Sequence, residues 1–221
     1  MENKISDKKW QKFLSRVWLF KFIPFVDFVF AAGSLATGNI REESDFDVIV
    51  GVRQGRIFSV RMFCYLSFGM FGLWAKHPGK SKNRLCFNHF VTPSAYRLSP
   101  PHNEYWKNLY KSLVPIFGDP ATIQKFYDAN ADWMGERRIY ADDARHLYKK
   151  SNWIKLAREW ILSEKLGDLL EKIFKRAQIR KIKSNKESDN VYAPRIIFND
   201  NELEFHPDTR RIEEYIEKLN K

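Results

Sequence analysis

Hydrophobic positions in the first part of the chain recur at helical spacing and then change to strand-like runs. Trp10, Phe13, Leu14, Val17 and Trp18 fall on one side of a helix with lysines opposite, which predicts an amphipathic helix over residues 5–22 leading to Pro24. Two apolar runs of strand length follow, residues 25–32 and 45–52, separated by Gly33-Ser34 and a polar stretch. Between them the pattern predicts a tight turn into a short helix. Arg53-Gln54-Gly55-Arg56 reads as a turn into an apolar helix over 57–75. A Pro/Gly-containing charged loop over 77–82 then leads to a third strand over 84–92.

From Pro100 onward the pattern is mainly helical. Residues 103–117 read as a helix with Tyr105, Trp106, Leu109, Tyr110 and Leu113 inward, closed by Gly118-Asp119-Pro120. Pro120 opens the next helix, where its missing N–H does no harm. Residues 142–183 read as a long helical stretch, either two helices or one bent near Ser151. Its stripe of Trp153, Leu156, Trp160, Leu162, Leu166, Leu169, Leu170, Ile173 and Phe174 is assigned to the core. Residues 183–190 are polar, and residues 195–205 read as a hairpin about Asn199-Asp200-Asn201. His206-Pro207 reads as a turn, and residues 208–219 as a final amphipathic helix. The expectation is an α+β protein with a small mixed sheet over residues 1–100 and a mainly helical accessory domain over 101–221.

The chain has 221 residues, 44% of them hydrophobic and 15% aromatic, which excludes a disordered chain and allows an ample core. Cys64 and Cys86 make neither a disulfide framework nor a metal-ligand spacing, and are read as free thiols in a reducing cytosol. The opening Met1-Glu2-Asn3-Lys4 leads into a charged helix and not into a secretory leader, so a cytoplasmic protein is expected. Residues 57–75 approach the length of a bilayer span, but Arg61, Ser59, Ser67, Gly69 and Gly72 favour a buried helix, and no stable membrane insertion is expected.

The net charge of +11 is unevenly spread. Residues 1–100 carry 15 Lys/Arg against 7 Asp/Glu, and no acid lies between Val48 and Pro100. A basic field of this kind suits polyphosphate or nucleic acid. The densest basic run, Lys175 to Lys183, lies at the end of an expected helix. There the dipole alone favours cations, and a phosphate contact is the alternative.

The candidate chemistry sits in the early strand–turn–helix–strand segment. Alternation along a strand points Asp45 and Asp47 to one side, with Phe46 and Val48 on the other. Two carboxylates so placed repel each other unless a cation sits between them, and hard divalent ions such as Mg²⁺ take oxygen ligands of this kind. Gly33 permits close backbone approach, and the start of the following helix offers free N–H groups to an anion.

Gly33-Ser34, ten residues, then Asp45-Phe46-Asp47-Val48 resembles the signature of the DNA polymerase beta-like nucleotidyltransferase superfamily, with Ser44 in its usual place before the acid pair. The resemblance covers residues 20–100 well and the helical remainder weakly. It implies a nucleotidyltransferase domain in residues 1–100 that moves an NMP from an NTP to a hydroxyl acceptor, with Mg²⁺ or Mn²⁺ as cofactor. Asp45 and Asp47 are its implied catalytic and metal-binding residues, and Gly33, Ser34 and Ser44 contact the nucleotide. Arg61 joins them because an arginine inside an apolar helix needs a partner, with snorkelling or pairing to Asp27 the alternative. Arg41, Arg53 and Arg56 are further candidates for phosphate neutralisation. Superfamily members complete the metal cage with a third acid, and the matching position here is Asn88 or His89, neither of them a carboxylate. Asn88 is then a weaker ligand, or another acid is recruited, or the protein holds nucleotide or RNA without catalysis. RNA, another polyanion or a protein hydroxyl are the acceptors considered.

Overall fold

The computed structural model describes residues 2–75, 81–136, 147–148, 152–187, 195–206 and 217. The protein is mixed α+β, built on one sheet. In chain order the elements are α1 (Glu2–Val17), β1 (Val26–Ala31), α2 (Gly33–Thr37), β2 (Phe46–Val52), α3 (Ile57–Met70), β3 (Leu85–Val91), α4 (Glu104–Lys111) and β4 (Val114–Gly118). They continue with α5 (Pro120–Asp128), α6 (Ala131–Met134), β5 (Leu147–Tyr148), α7 (Trp153–Ile161), α8 (Lys165–Glu187), β6 (Arg195–Phe198) and β7 (Glu202–His206). The helix expected over 208–219 lies outside the described residues except for residue 217, as does most of the 77–82 loop.

Among the described residues, seven strands run in the order β5-β4-β1-β2-β3-β7-β6. β1 and β2 pair antiparallel around α2, whereas β2 and β3 are parallel because α3 carries the chain back across the sheet. The sheet continues past residue 100 on both sides: β4 pairs antiparallel with β1, and β7 pairs antiparallel with β3. Strands from the first 100 residues therefore form its centre, and later strands form both edges. Beyond residue 100 the chain is helical and β together, not helical alone.

Alternation along β1 and β2 separates two cores. Val29, Val48 and Val50 face Trp10, Phe13, Phe58 and Phe68 of α1 and α3. Phe28, Phe30 and Ile49 face the other way, toward Trp106, Tyr110, Ile123 and Phe126 of α4 and α5. Both faces of β2 are therefore covered, which is why its residues 48–52 read as one unbroken apolar run.

Three expectations are corrected. The helix expected over 103–117 stops at Lys111, and residues 114–118 form β4. Val114, Ile116 and Phe117 are good strand formers, and Pro115 would break a helix but is accommodated at a register irregularity opposite β1. The apolar helix ends at Met70 and not at residue 75, because Gly72 turns the chain with a positive φ of 66°. The break in the long helical stretch falls between Ile161 and Lys165, and Ser151 is outside the described residues.

The stripe assigned to the core over α7 and α8 is largely exposed. Trp153 is 76% and Trp160 80% accessible, and Leu156, Leu166, Leu169 and Ile173 are also exposed. α7 instead turns Lys155 and Glu159 inward. Lys155 Nζ donates to the Val26 carbonyl at 2.5 Å, and Glu159 accepts from the Phe25 amide at 2.8 Å. Phe25 has a left-handed φ of 63°, so β1 begins with backbone groups that need partners, and α7 supplies them. Backbone satisfaction outweighs the helix's own hydrophobic pattern here.

Gly51 lies directly across from Phe28 in the antiparallel register, and the Phe28 ring lies over it. A Cβ at residue 51 would run into that ring. Gly51→Ala is expected to lower stability by about 1–3 kcal/mol, read as a shift of the urea midpoint at unchanged m-value.

Candidate active site

The Gly-Ser turn and the acid pair meet where β1 gives way to α2. The Ala32 amide donates to the Asp47 carbonyl at 3.0 Å, which holds the end of β1 against the start of β2. Gly33 follows with φ 61°, and a Cβ there would collide with the Asp47 carboxylate. Only glycine permits both the left-handed turn and this approach. Ser34 is half-buried beside it in the first turn of α2.

The loop from α2 to β2 is held from α1. Lys9, only 4% exposed, donates to the carbonyls of Glu42 at 2.6 Å and Ser44 at 2.9 Å. Burial first, then repulsion from Lys82 and Lys12, lowers its pKa. Ser44 closes the same loop, its Oγ accepting from the Arg41 amide at 3.1 Å. Asp45 and Asp47 are both half-buried, and Phe46 between them is buried on the opposite face against Phe13 of α1.

Asp47 is the most perturbed carboxyl of the site. Its pKa is pushed up to about 7, mainly by desolvation and then by the charge of Asp45, against the lowering effect of hydrogen bonds from Asn88 and Cys86. Asn88 stands beside the pair, at the place the resemblance assigns to a third acid. It presents its N–H: Nδ2 donates to Asp47 Oδ1 at 3.0 Å. As a metal ligand Asn88 would have to turn its carbonyl inward. The two aspartates therefore suit a hard divalent cation, which relieves their repulsion, while the third position as it stands supplies a donor.

Asp47 and Asn88 open onto a cavity of ≈ 140 Å³. Gly33 and Ile49 form its floor, and α4 forms a wall of Tyr105, Trp106, Leu109 and Tyr110. His89 and His206 complete it on the β3–β7 side. A larger cavity of ≈ 290 Å³ lies between α1 and the α2–β2 loop, lined by Lys8, Lys9, Lys12 and Lys82 together with Ile5, Glu42 and Asn83. The smaller cavity is the better candidate for chemistry, because it alone of the two contains a strongly perturbed carboxyl, whereas the larger offers mainly positive charge.

The structure does not bring the sequence's arginines into this site. Arg61 is on the opposite face of the sheet, with Nη1 donating to Gln178 of α8 at 2.7 Å. Its guanidinium lies over the rings of Tyr65 at 4.7 Å and Phe205 at 4.5 Å. An arginine inside an apolar helix does need partners, and it finds an amide and two aromatic faces. Arg53 pairs with Glu159 at 3.1 Å and Arg56 with Asp168 at 2.7 Å, so both fasten α7 and α8 to the end of the β1–β2 hairpin. Arg41 is exposed on the loop before Asp45.

Sequence reasoning missed His206, which is the last residue of β7 and not part of a turn. The α4 aromatics were read only as core. The one available signal for His206 was the alternation Glu202-Leu203-Glu204-Phe205-His206, which puts three polar side chains on one face of a strand but does not say which face is buried.

A carboxyl whose pKa is raised in the folded state is protonated more readily there than in the unfolded chain. Its contribution is complete below about pH 3.8, the unfolded value, and is lost as pH rises to about 7. Without divalent cations, Asp47→Asn is therefore expected to be more stable than the parent at pH 8 by about 1–4 kcal/mol, with the difference shrinking toward pH 4. Paired denaturant titrations across this range check it. The same comparison repeated with Mg²⁺ should narrow the gap at pH 8, because the cation replaces the proton.

Compared with known proteins, the chain matches no protein-family model, no curated protein and no solved structure.

Proposed function

We propose that this protein is a metal-dependent nucleotidyltransferase, moving an NMP from an NTP to a hydroxyl acceptor with release of pyrophosphate. The observation that carries the reading is the packing of Gly33 against the Asp47 carboxylate, beside Asp45 and at the mouth of a cavity. Supporting it is the local order of elements: a hairpin of β1 and β2 around α2, then a parallel β3 reached through α3.

In this reading Asp45 and Asp47 hold Mg²⁺ or Mn²⁺, which when bound neutralises charge developing on the reacting oxygens. Each contribution of the chain follows from its position. Burial and the Asp45 charge destabilise the ionised Asp47, so the site gains most from a cation near neutral pH. Gly33 lets the Asp47 carboxylate lie against the backbone at the start of α2, which fixes where a cation and its phosphate ligands would sit. Lys9 keeps Asp45 in place through the loop carbonyls. The α4 rings offer a planar, apolar surface for a base or an acceptor ring. The acid-free stretch from Val48 to Pro100 and the lysines of the larger cavity favour RNA or another polyanion as acceptor over a cationic molecule.

A second reading, a nucleotide- or RNA-binding protein without transfer, is favoured by one observation. Asn88 donates to Asp47 where a third carboxylate would be expected.

Incubation with Mg²⁺, each α-labelled NTP, and cellular RNA or protein is expected to give label transfer. Asp45→Ala, Asp47→Ala and Gly33→Ala should each reduce it at least about 100-fold in folded protein, consistent with loss of charge stabilisation at a reacting centre. Nucleotide binding with no transfer in the parent would favour the second reading, and neither binding nor transfer would refute both. Asn88→Asp should tighten Mg²⁺ binding measured by calorimetry, and unchanged affinity would remove residue 88 from the cation site.

A further inference from the structure

Three polar residues of β7, Glu202, Glu204 and His206, alternate with Leu203 and Phe205, and so project from one face of the sheet. Glu204 lies directly across from His89 of β3 in the antiparallel register. The contact is buried: Glu204 is 0%, His89 1% and Glu202 4% exposed. One ligand atom from each of these three lies within 4.8 Å of the other two.

Each of the three is held from behind. His89 Nδ1 lies 3.4 Å from the Tyr110 hydroxyl, Glu202 Oε2 accepts from Ser99 Oγ at 3.3 Å, and Glu204 Oε2 accepts from Arg195 Nε at 2.7 Å. Arg195 is itself fixed by the carbonyls of Ser99 and Pro100. The opposite atoms face one another. His89 Nε2 is 3.1 Å from Glu202 Oε1, and His206 Nε2 is 3.1 Å from Glu204 Oε1. Glu204 Oε1 is fully buried and makes no hydrogen bond. A buried carboxylate oxygen without an aligned donor is costly, and this one faces His206 Nε2 at ion-pair distance within the cluster.

We propose that His89, Glu202, Glu204 and His206 form a binding site for a divalent first-row transition metal, typified by Zn²⁺, in the β3–β7 wall of the cavity. Two imidazoles and two carboxylates are a borderline donor set that suits Zn²⁺, unlike the all-oxygen Asp45/Asp47 pair, which suits Mg²⁺. Contacts of 3.1 Å between facing atoms match ligands that share a metal at bonds of about 2.0–2.2 Å. The backing contacts from Tyr110, Ser99 and Arg195 orient the ligands as outer partners do in metal centres. Charge agrees: two carboxylates against the single Arg195 guanidinium leave the buried cluster negative while the imidazoles are neutral. The site is separate from the proposed transfer chemistry and does not depend on it.

The test uses the full chain, stripped with a chelator and dialysed. Titration with Zn²⁺ by calorimetry should show one equivalent bound, and Co²⁺ should give visible d–d absorption from nitrogen–oxygen ligation. Glu204→Gln and His206→Ala should each weaken Zn²⁺ binding at least 10-fold, while Asp47→Asn keeps it. His206 is at the cavity edge and partly exposed, so its removal leaves no buried void, and circular dichroism reports folding of each variant. The proposal is overturned if the folded parent binds no Zn²⁺. It is equally overturned if Glu204→Gln and His206→Ala bind as the parent does, or if binding is lost in Asp47→Asn.

Discussion

Polar groups on the α4 side of the central sheet are buried or half-buried, and most must be answered from within the protein. Asp47 on β2, Asn88 and His89 on β3, and Glu202 and Glu204 on β7 all project to this side, under a wall of aromatic rings from α4. Water cannot satisfy most of them. A carboxylate in such a place either finds a donor, keeps a proton or takes a cation. Asp47 meets this constraint partly through Asn88 and Cys86 and partly through a raised pKa, and Glu204 meets it through Arg195 and two imidazoles.

The rest of the architecture can be understood as support for that layer. α1 and α3 fill the opposite face with Trp10, Phe13, Phe58 and Phe68, so β1, β2 and β3 cannot shift in register without exposing a core. Lys9 reaches from α1 to the loop that precedes Asp45, and Arg53 and Arg56 fasten the far end of the hairpin to α7 and α8. Buried Lys9, half-buried Arg56 and exposed Arg53 thus serve backbone carbonyls and acids at both ends of the β1–β2 hairpin. A net charge of +11 is consistent with such use, because part of the positive charge is spent inside the fold and the remainder, including Lys8, Lys12 and Lys82, faces outward.

The exposed apolar side of α7 and α8 follows from the same priority. Lys155 and Glu159 are drawn to the start of β1, where Phe25 and Val26 present backbone groups, and this leaves Trp153, Leu156 and Trp160 outside. Helical periodicity can locate an apolar stripe but cannot say that the stripe is the buried one. That inference fails when the opposite face has stronger, directional partners. Among the described residues, no helix is long and apolar enough to cross a membrane, so this exposed face is not part of a spanning segment.

Features governed by neighbours in the chain were readable from sequence alone. The strand–turn–helix–strand from residue 25 to 52, the crossover helix after it, and the hairpin about residues 199–201 depend on alternation, a glycine with positive φ and short loops, and all three occur in the structure. The resemblance put Gly33-Ser34 beside the acid pair and left Asn88 or His89 for the third position, and the structure packs Gly33 against Asp47 and hydrogen-bonds Asn88 to it. What needed tertiary structure was every pairing across long sequence separation. Residues 114–118 became a strand because β1 offered an open edge, and Arg61 went to Gln178 and Phe205 because α8 and β7 pack beside it. His89 met Glu204 because β7 returned to β3 after more than a hundred residues. A side chain's own chemistry states what it requires, and only the folded chain decides which partner meets that requirement.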